Sequence, residues 1–207
     1  MIAGAVVELR LSFFSKKFNR PKRVEFFSYL RGDHINKPTK ITNGDADVIR
    51  QHLLGQDKLI FDFSVETGLR ISDVLKLKAH KVNKIISIKE SKTKKYKTVE
   101  ISHGLFSRMK ELRTSDRNVY AFRSPRTLYK PLHRSTYHLH LKKVSKHTGI
   151  NLSAHSARKL YAQNIFESTG DIFAVQKALN HKYITTTCDY LDIDLVELLK
   201  NVSKGAK

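Results

Sequence analysis

From Asp45 onward apolar residues recur at helical spacing along almost the whole chain, and that period changes only once. At residues 84–101 it shortens toward alternation. Lys84-Ile85-Ile86-Ser87-Ile88 and Thr98-Val99-Glu100-Ile101 read as two strands, and the lysine-rich stretch Glu90 to Lys97 between them suits a hairpin turn. One interruption of this kind restricts the fold class to mainly α with a small antiparallel β-sheet. With 207 residues, 40% of them hydrophobic, the chain can bury one proper core and carry a short appendage.

The expected helices follow from caps and periodicity. Asp45 is a candidate cap for a helix through Leu54, and Asp57 for one that ends at Gly68 as a left-handed C′ residue. A short helix from Ser72 would carry Val74, Leu75 and Leu77. Further helices are expected at 104–112, 135–148, 154–168, 171–179, 185–191 and 193–203, with Ser135, Ser153, Asp171 and Thr185 as N-caps. Residues 1–44 differ. They mix cations (Arg10, Lys16, Lys17, Arg20) with aromatics (Phe13, Phe14, Phe18, Phe26) and read as an N-terminal extension to a main domain at 45–207.

Charge narrows the partners. Lys and Arg number 39 against 19 Asp and Glu, a net charge of +20, which calls for a polyanion. The excess is clustered: residues 84–97 hold six lysines, and 113–147 hold nine Lys or Arg against one Asp. Such runs can be merely solvated faces, but with this total a nucleic-acid face is the better reading. No apolar run is long enough to span a membrane. Met1 to Leu9 is apolar but short and lacks a basic flank, so it is not read as a secretory signal, and a cytoplasmic location is expected. Cys188 is the single cysteine, which excludes an internal disulfide framework and a cysteine-based zinc site. Neither H-E-x-x-H nor a Walker loop is present, and neither metal nor cofactor is expected.

Four stretches can carry chemistry. In Thr67-Gly68-Leu69-Arg70-Ile71-Ser72-Asp73, Arg70 falls in a tight connection between helices, where its fork can be held toward a phosphate or can pair with Asp73. In His155-Ser156-Ala157-Arg158 the two cations are three apart in a first helical turn. A cation there opposes the helix dipole unless an anion binds. Leu179-Asn180-His181 closes a helix, with Asn180 suited to a left-handed cap, and Tyr190 follows nine residues after His181. Ser91-Lys92-Thr93 lies in the hairpin turn. Together these residues make a metal-free phosphoryl-transfer set. A tyrosine can attack a phosphodiester, arginines can neutralise the developing charge, and a lysine or histidine can protonate the leaving oxygen.

In this order and spacing the residues resemble the tyrosine recombinase (phage integrase) family, over residues of about 45–200. The resemblance implies a catalytic set of Arg70, Lys92, His155, Arg158, His181 and Tyr190, with Asp73 supporting the site and Lys92 as general acid. It implies site-specific recombination through a 3′-phosphotyrosyl link and a free 5′ hydroxyl, on double-stranded DNA. The partners it implies are further copies in a homo-tetramer, with residues 193–203 docking into a neighbour, and accessory DNA-bending proteins. L-N-H stands where the family has L-G-H, and H-S-A-R lacks the usual Leu before Arg. Fewer than about 45 residues precede the catalytic domain, which resembles the short members such as fimbrial DNA invertases. A type IB topoisomerase-like enzyme and a non-cutting DNA-binding protein of the same fold are the alternatives. For DNA contact the candidates are Lys94, Lys95 and Lys97 on the hairpin, Arg134, and Lys142 and Lys143 with Tyr137, His138 and His140 on the helix at 135–148.

Overall fold

The computed structural model describes residues 40–194. Residues 1–39 of the extension expected at 1–44, and the helix expected at 193–203 beyond its first two residues, lie outside the described residues. The described residues fall in two compact units, residues 40–164 and residues 165–194.

The larger unit opens with α1 (Asn43–His52). Its cap is Thr42, not Asp45: Thr42 Oγ1 accepts from Asp45 N at 3.1 Å, and Asp45 Oδ2 accepts from Thr42 N at 2.8 Å. Asp45 is thus the reaching-back member of a capping box. Next comes α2 (Gly55–Thr67), buried on nearly every face through Ile60, Phe61, Phe63 and Val65. Asp57 lies inside its first turn and pairs with His140 at 2.7 Å, so it is no cap. Burying a phenylalanine such as Phe63 contributes about 2–3 kcal/mol. The buried Asp62 on the same helix is tolerated because Arg50 Nε (2.8 Å) and Arg108 Nη1 (2.6 Å) both donate to it.

Gly68 ends α2 in the left-handed region at φ 60°, as its sequence position predicts. The four-residue helix α3 (Ile71–Val74) starts one residue earlier than expected, with Arg70 at its N-cap position. The hairpin β1 (Ile85–Lys89) and β2 (Tyr96–Glu100) is antiparallel, with Ile86 opposite Val99 on the core side. Helix α4 (His103–Met109) is capped by Ser102 and packs on α2.

A second small antiparallel pair, β3 (Arg123–Ser124) and β4 (Thr127–Pro131), was not legible in the sequence. Its strands are too short, and too rich in Arg, Lys and Pro, to show alternation. Helix α5 (Arg134–Thr148) packs on α1 and is capped by His133, whose Nδ1 accepts from Ser135 N; Ser135 therefore sits inside the helix.

Helix α6 (Ser156–Thr169) begins later than expected. Ser153 Oγ accepts from His155 N at 3.2 Å, which holds Ala154 and His155 in a turn ahead of the helix. In the smaller unit, α7 (Ile172–Ala178) is capped by Asp171, as expected, and packs on α8 (Ile184–Leu191) around Val175, Leu179 and Cys188. Thr185 is buried within α8, and Tyr183 takes the cap position without a side-chain bond. Asn180 adopts φ 52°, the left-handed turn expected of it.

Candidate active site

Three elements of the larger unit converge. The turn between α2 and α3 carries Arg70, the β1–β2 hairpin carries Glu90 and Lys97, and the start of α6 carries Arg158. Arg70 Nη1 donates to Glu90 Oε1 at 2.8 Å, and Arg158 Nη1 lies 3.9 Å from the same oxygen. Arg158 is buried and also donates through Nη1 to the Gly68 carbonyl. Lys97 Nζ donates to the Thr67 carbonyl at 2.7 Å and stands over the Tyr161 ring at 5.0 Å. Asp73 Oδ1 accepts from Ser91 N at 2.9 Å.

Arg70 therefore pairs with Glu90 across 20 residues, and the local partner Asp73 instead anchors the hairpin. Gly68 is required for close approach as well as for its backbone angle. A Cβ on it would stand 2.1 Å from Tyr161 Cδ1. The tyrosine ring packs directly against the turn that presents Arg70.

His155 is half-buried, and its Nδ1 is enclosed without a hydrogen-bond partner. Burial lowers its pKa, and the charges of Arg134, Arg158, Arg70 and Lys92 lower it further. Its imidazole is thus kept neutral, able to take or relay a proton. Lys92 is exposed on the hairpin turn, near enough for its charge to act on His155.

Burial also lowers Lys97 to about 8, with the charges of Arg158 and Arg70 acting in the same direction and Glu90 opposing them. Below pH 8 the ammonium is charged in both folded and unfolded chains, and its burial penalty is fully present. Between about 8 and the ordinary 10.5 the unfolded chain holds more proton, so stability rises with pH across that window. Urea unfolding at about pH 7 and about pH 9.5 is expected to show wild type gaining about 1 kcal/mol, a gain absent from Lys97→Met. Equal pH responses in the two proteins would refute it.

The lysines expected on the DNA side separate. Lys94 and Lys95 are exposed, whereas Lys97 turns inward and is corrected from a phosphate contact to a member of the buried cluster. On α5, Arg134, Lys142 and Lys143 are exposed. Tyr137 is in the core and His140 faces Asp57, so neither is free to read a groove. A groove of about 660 Å³ beside α3 is lined by Lys76, Arg126, Lys130, His133 and Arg134, together with Ser72. Of these only Arg134 was singled out from the sequence. The basic run at 113–147 was the available signal for Arg126 and Lys130.

In the smaller unit, His181 and Tyr190 meet edge to face, with ring centroids 5.1 Å apart. The His181 Nδ1 and the Thr187 hydroxyl are 3.1 Å apart, which fixes the imidazole's direction on the helix that carries the tyrosine. Cys188 is buried and forms no disulfide, and burial pushes its thiol up to about 12, which makes it a poor nucleophile. Among the described residues no group of side chains could hold a metal ion, and no helix is long and apolar enough to cross a membrane.

The sequence profile described as the phage integrase family matches residues 30–195. The chain belongs to the phage integrase family. This integrase-family chain is 32% identical over 169 residues to the probable integrase/recombinase YoeC of Bacillus subtilis, an alignment covering 78% of this chain and 92% of that protein. It is 30% identical over 156 residues to the tyrosine recombinase XerA of Pyrococcus horikoshii, covering 72% of this chain and 55% of that one. Among solved structures, a XerA recombinase superposes with TM-score 0.63 at 20% identity, covering 84% of this chain and 67% of that one. A XerH site-specific recombinase bound to palindromic difH substrate, after cleavage, superposes with TM-score 0.61 at 20% identity, covering 83% and 54%. The fold of the integrase-family chain is thus that of the tyrosine recombinase catalytic domain. It spans little more than half the length of the archaeal relative and of the XerH chain.

Proposed function

We propose that this protein is a site-specific recombinase that breaks and rejoins double-stranded DNA through Tyr190. The observation that carries this reading is the buried Arg70–Glu90–Arg158 cluster, which presents a preformed cationic site in a chain of this family. Arg70 and Arg158 would bind the non-bridging oxygens of the scissile phosphate, where preorganised donors are worth roughly 10²–10³ in rate each. The Tyr190 oxygen attacks phosphorus as the bond to the 5′ oxygen breaks, giving a 3′-phosphotyrosyl link. Lys92 supplies the proton that leaves with the 5′ hydroxyl, and neutral His155 accepts the tyrosine proton. His181 positions Tyr190 through the ring contact. The 5′ hydroxyl of a partner duplex then attacks the phosphotyrosine and releases the enzyme. The phosphate bond energy is retained throughout.

The basic groove with Lys76, Arg126 and Lys130, and the exposed Lys94, Lys95, Arg134, Lys142 and Lys143, would receive flanking phosphates. Strand exchange between two duplexes calls for assembly on paired sites, proposed as a homo-tetramer. Accessory DNA-bending proteins would assist where the sites must be brought together.

Nicked suicide duplexes tiled across the DNA flanking the gene test the reading. Wild type is expected to yield an SDS-resistant protein–DNA band, and Tyr190→Phe none, a loss of at least about 10⁴-fold with duplex binding retained. Salt-sensitive binding with no covalent band on any duplex would instead favour a non-cutting DNA-binding protein.

A further inference from the structure

Glu90 was passed over in the sequence, where it opens a lysine-rich turn, yet it is completely buried. Both of its oxygens are engaged: Oε1 accepts from Arg70 at 2.8 Å, and Oε2 accepts from the Thr93 hydroxyl at 2.8 Å. Its backbone is fixed by the turn itself, with Glu90 N donating to Lys95 O and Lys94 N donating to Glu90 O, each at 2.9 Å. The carboxylate therefore has little freedom, and the arginines must come to it.

The exposures differ along this line. The Glu90 side chain is 0% exposed, Arg158 is 2% and Arg70 is 17%. The carboxylate sits behind, and Arg70 is the more open of the two guanidinium groups. An anion so enclosed meets no phosphate, which it would repel. Without it, Arg70, Arg158 and Lys97 would crowd like charges into one buried place. A guanidinium that spends one nitrogen on a fixed carboxylate keeps its other donors in a set direction.

We propose that Glu90 is a positioning residue for the phosphoryl transfer: it aims Arg70, steadies Arg158 and offsets part of the site's positive charge before DNA arrives, while touching no reacting atom. This rests on the function proposed above. It predicts a split between binding and chemistry. A residue that merely holds the fold would move both together, and a phosphate contact would weaken binding.

The test compares wild type with Glu90→Gln, Glu90→Asp and Thr93→Val on a cleavable duplex. Duplex affinity, the single-turnover rate of covalent complex formation at saturating duplex, and thermal melting are measured. Glu90→Gln is expected to bind within about twofold of wild type, or more tightly since an anion is lost, and to react about 10²-fold more slowly. Glu90→Asp is expected to recover about tenfold of that loss. Thr93→Val, which keeps the charge but frees one oxygen, is expected to react about fivefold more slowly. Folded Glu90→Gln reacting within threefold of wild type would overturn the proposal, as would equal losses in binding and rate. Should Glu90→Gln fail to fold, Thr93→Val decides, and a wild-type rate there overturns it. NMR of the arginine side chains in the DNA-free proteins separates this proposal from the function it rests on. Wild type is expected to show slowly exchanging guanidinium protons from Arg70 that Glu90→Gln loses. If wild type never forms a covalent complex, the recombinase reading falls. The aiming of Arg70 then stands or falls on those signals, and their persistence in Glu90→Gln overturns it.

Discussion

Arg158→Ala is expected to lower the rate of covalent complex formation by about 10³-fold and to destabilise the fold by about 3–5 kcal/mol. The two losses have separate causes. The rate falls because a preorganised donor to the phosphate is removed. Stability falls because Glu90 stays buried with one fewer compensating charge, and the Gly68 carbonyl loses its donor. For a chain of this size such a loss lowers the melting temperature by roughly 10 °C. Arg158→Lys is expected to recover part of the stability and little of the rate, because an ammonium cannot reproduce the planar fork. Single-turnover trapping and urea denaturation of the two variants check both parts. An Arg158→Ala protein as stable as wild type would mean that the charge on Glu90 is compensated elsewhere.

Gly68→Ala is expected to cost about 3–5 kcal/mol and to abolish detectable cleavage. The left-handed angle of 60° costs any L-residue about 1–2 kcal/mol. The new methyl would also stand 2.1 Å from a ring carbon of Tyr161, a clash that forces either the ring or the turn to move. The ring is confined because Lys97 stands over it, so the turn carrying Arg70 would shift. Chemistry that depends on sub-ångström placement would be lost with it. The check is a double-mutant cycle with Tyr161→Ala. Removing the ring is expected to return at least about 1 kcal/mol of the Gly68→Ala loss, a coupling that independent sites do not show. Additive losses would leave backbone strain as the whole explanation.

Legibility from sequence followed the range of the interactions. The helix ends at Gly68 and Asn180 were readable because a left-handed residue is a local requirement. Asp171 was readable as a cap for a similar reason: it bonds two residues ahead. The cap expected at Asp45 lies three residues earlier, at Thr42, and the helix expected after Ser153 begins two residues later, because neighbouring polar side chains compete for the same amides. The β3–β4 pair escaped because its pairing, not its pattern, makes it a sheet.

The same division runs through the candidate site. The order and spacing of Arg70, Lys92, His155, Arg158, His181 and Tyr190 determined the family, because chemistry restricts which side chains can serve and local turns restrict how far apart they stand. Sequence also determined that the chain is mainly helical and strongly cationic. What it could not convey was the partner of each charge. Asp73, three residues from Arg70, was the natural guess, and Glu90, 20 residues away, is the partner the fold supplies. Lys97 looked like its neighbours Lys94 and Lys95 until the packing of α2 and Tyr161 turned it inward. Burial and pairing between distant residues are properties of the assembled core, so only the tertiary structure decided which charges lie open to solvent and which are enclosed and paired.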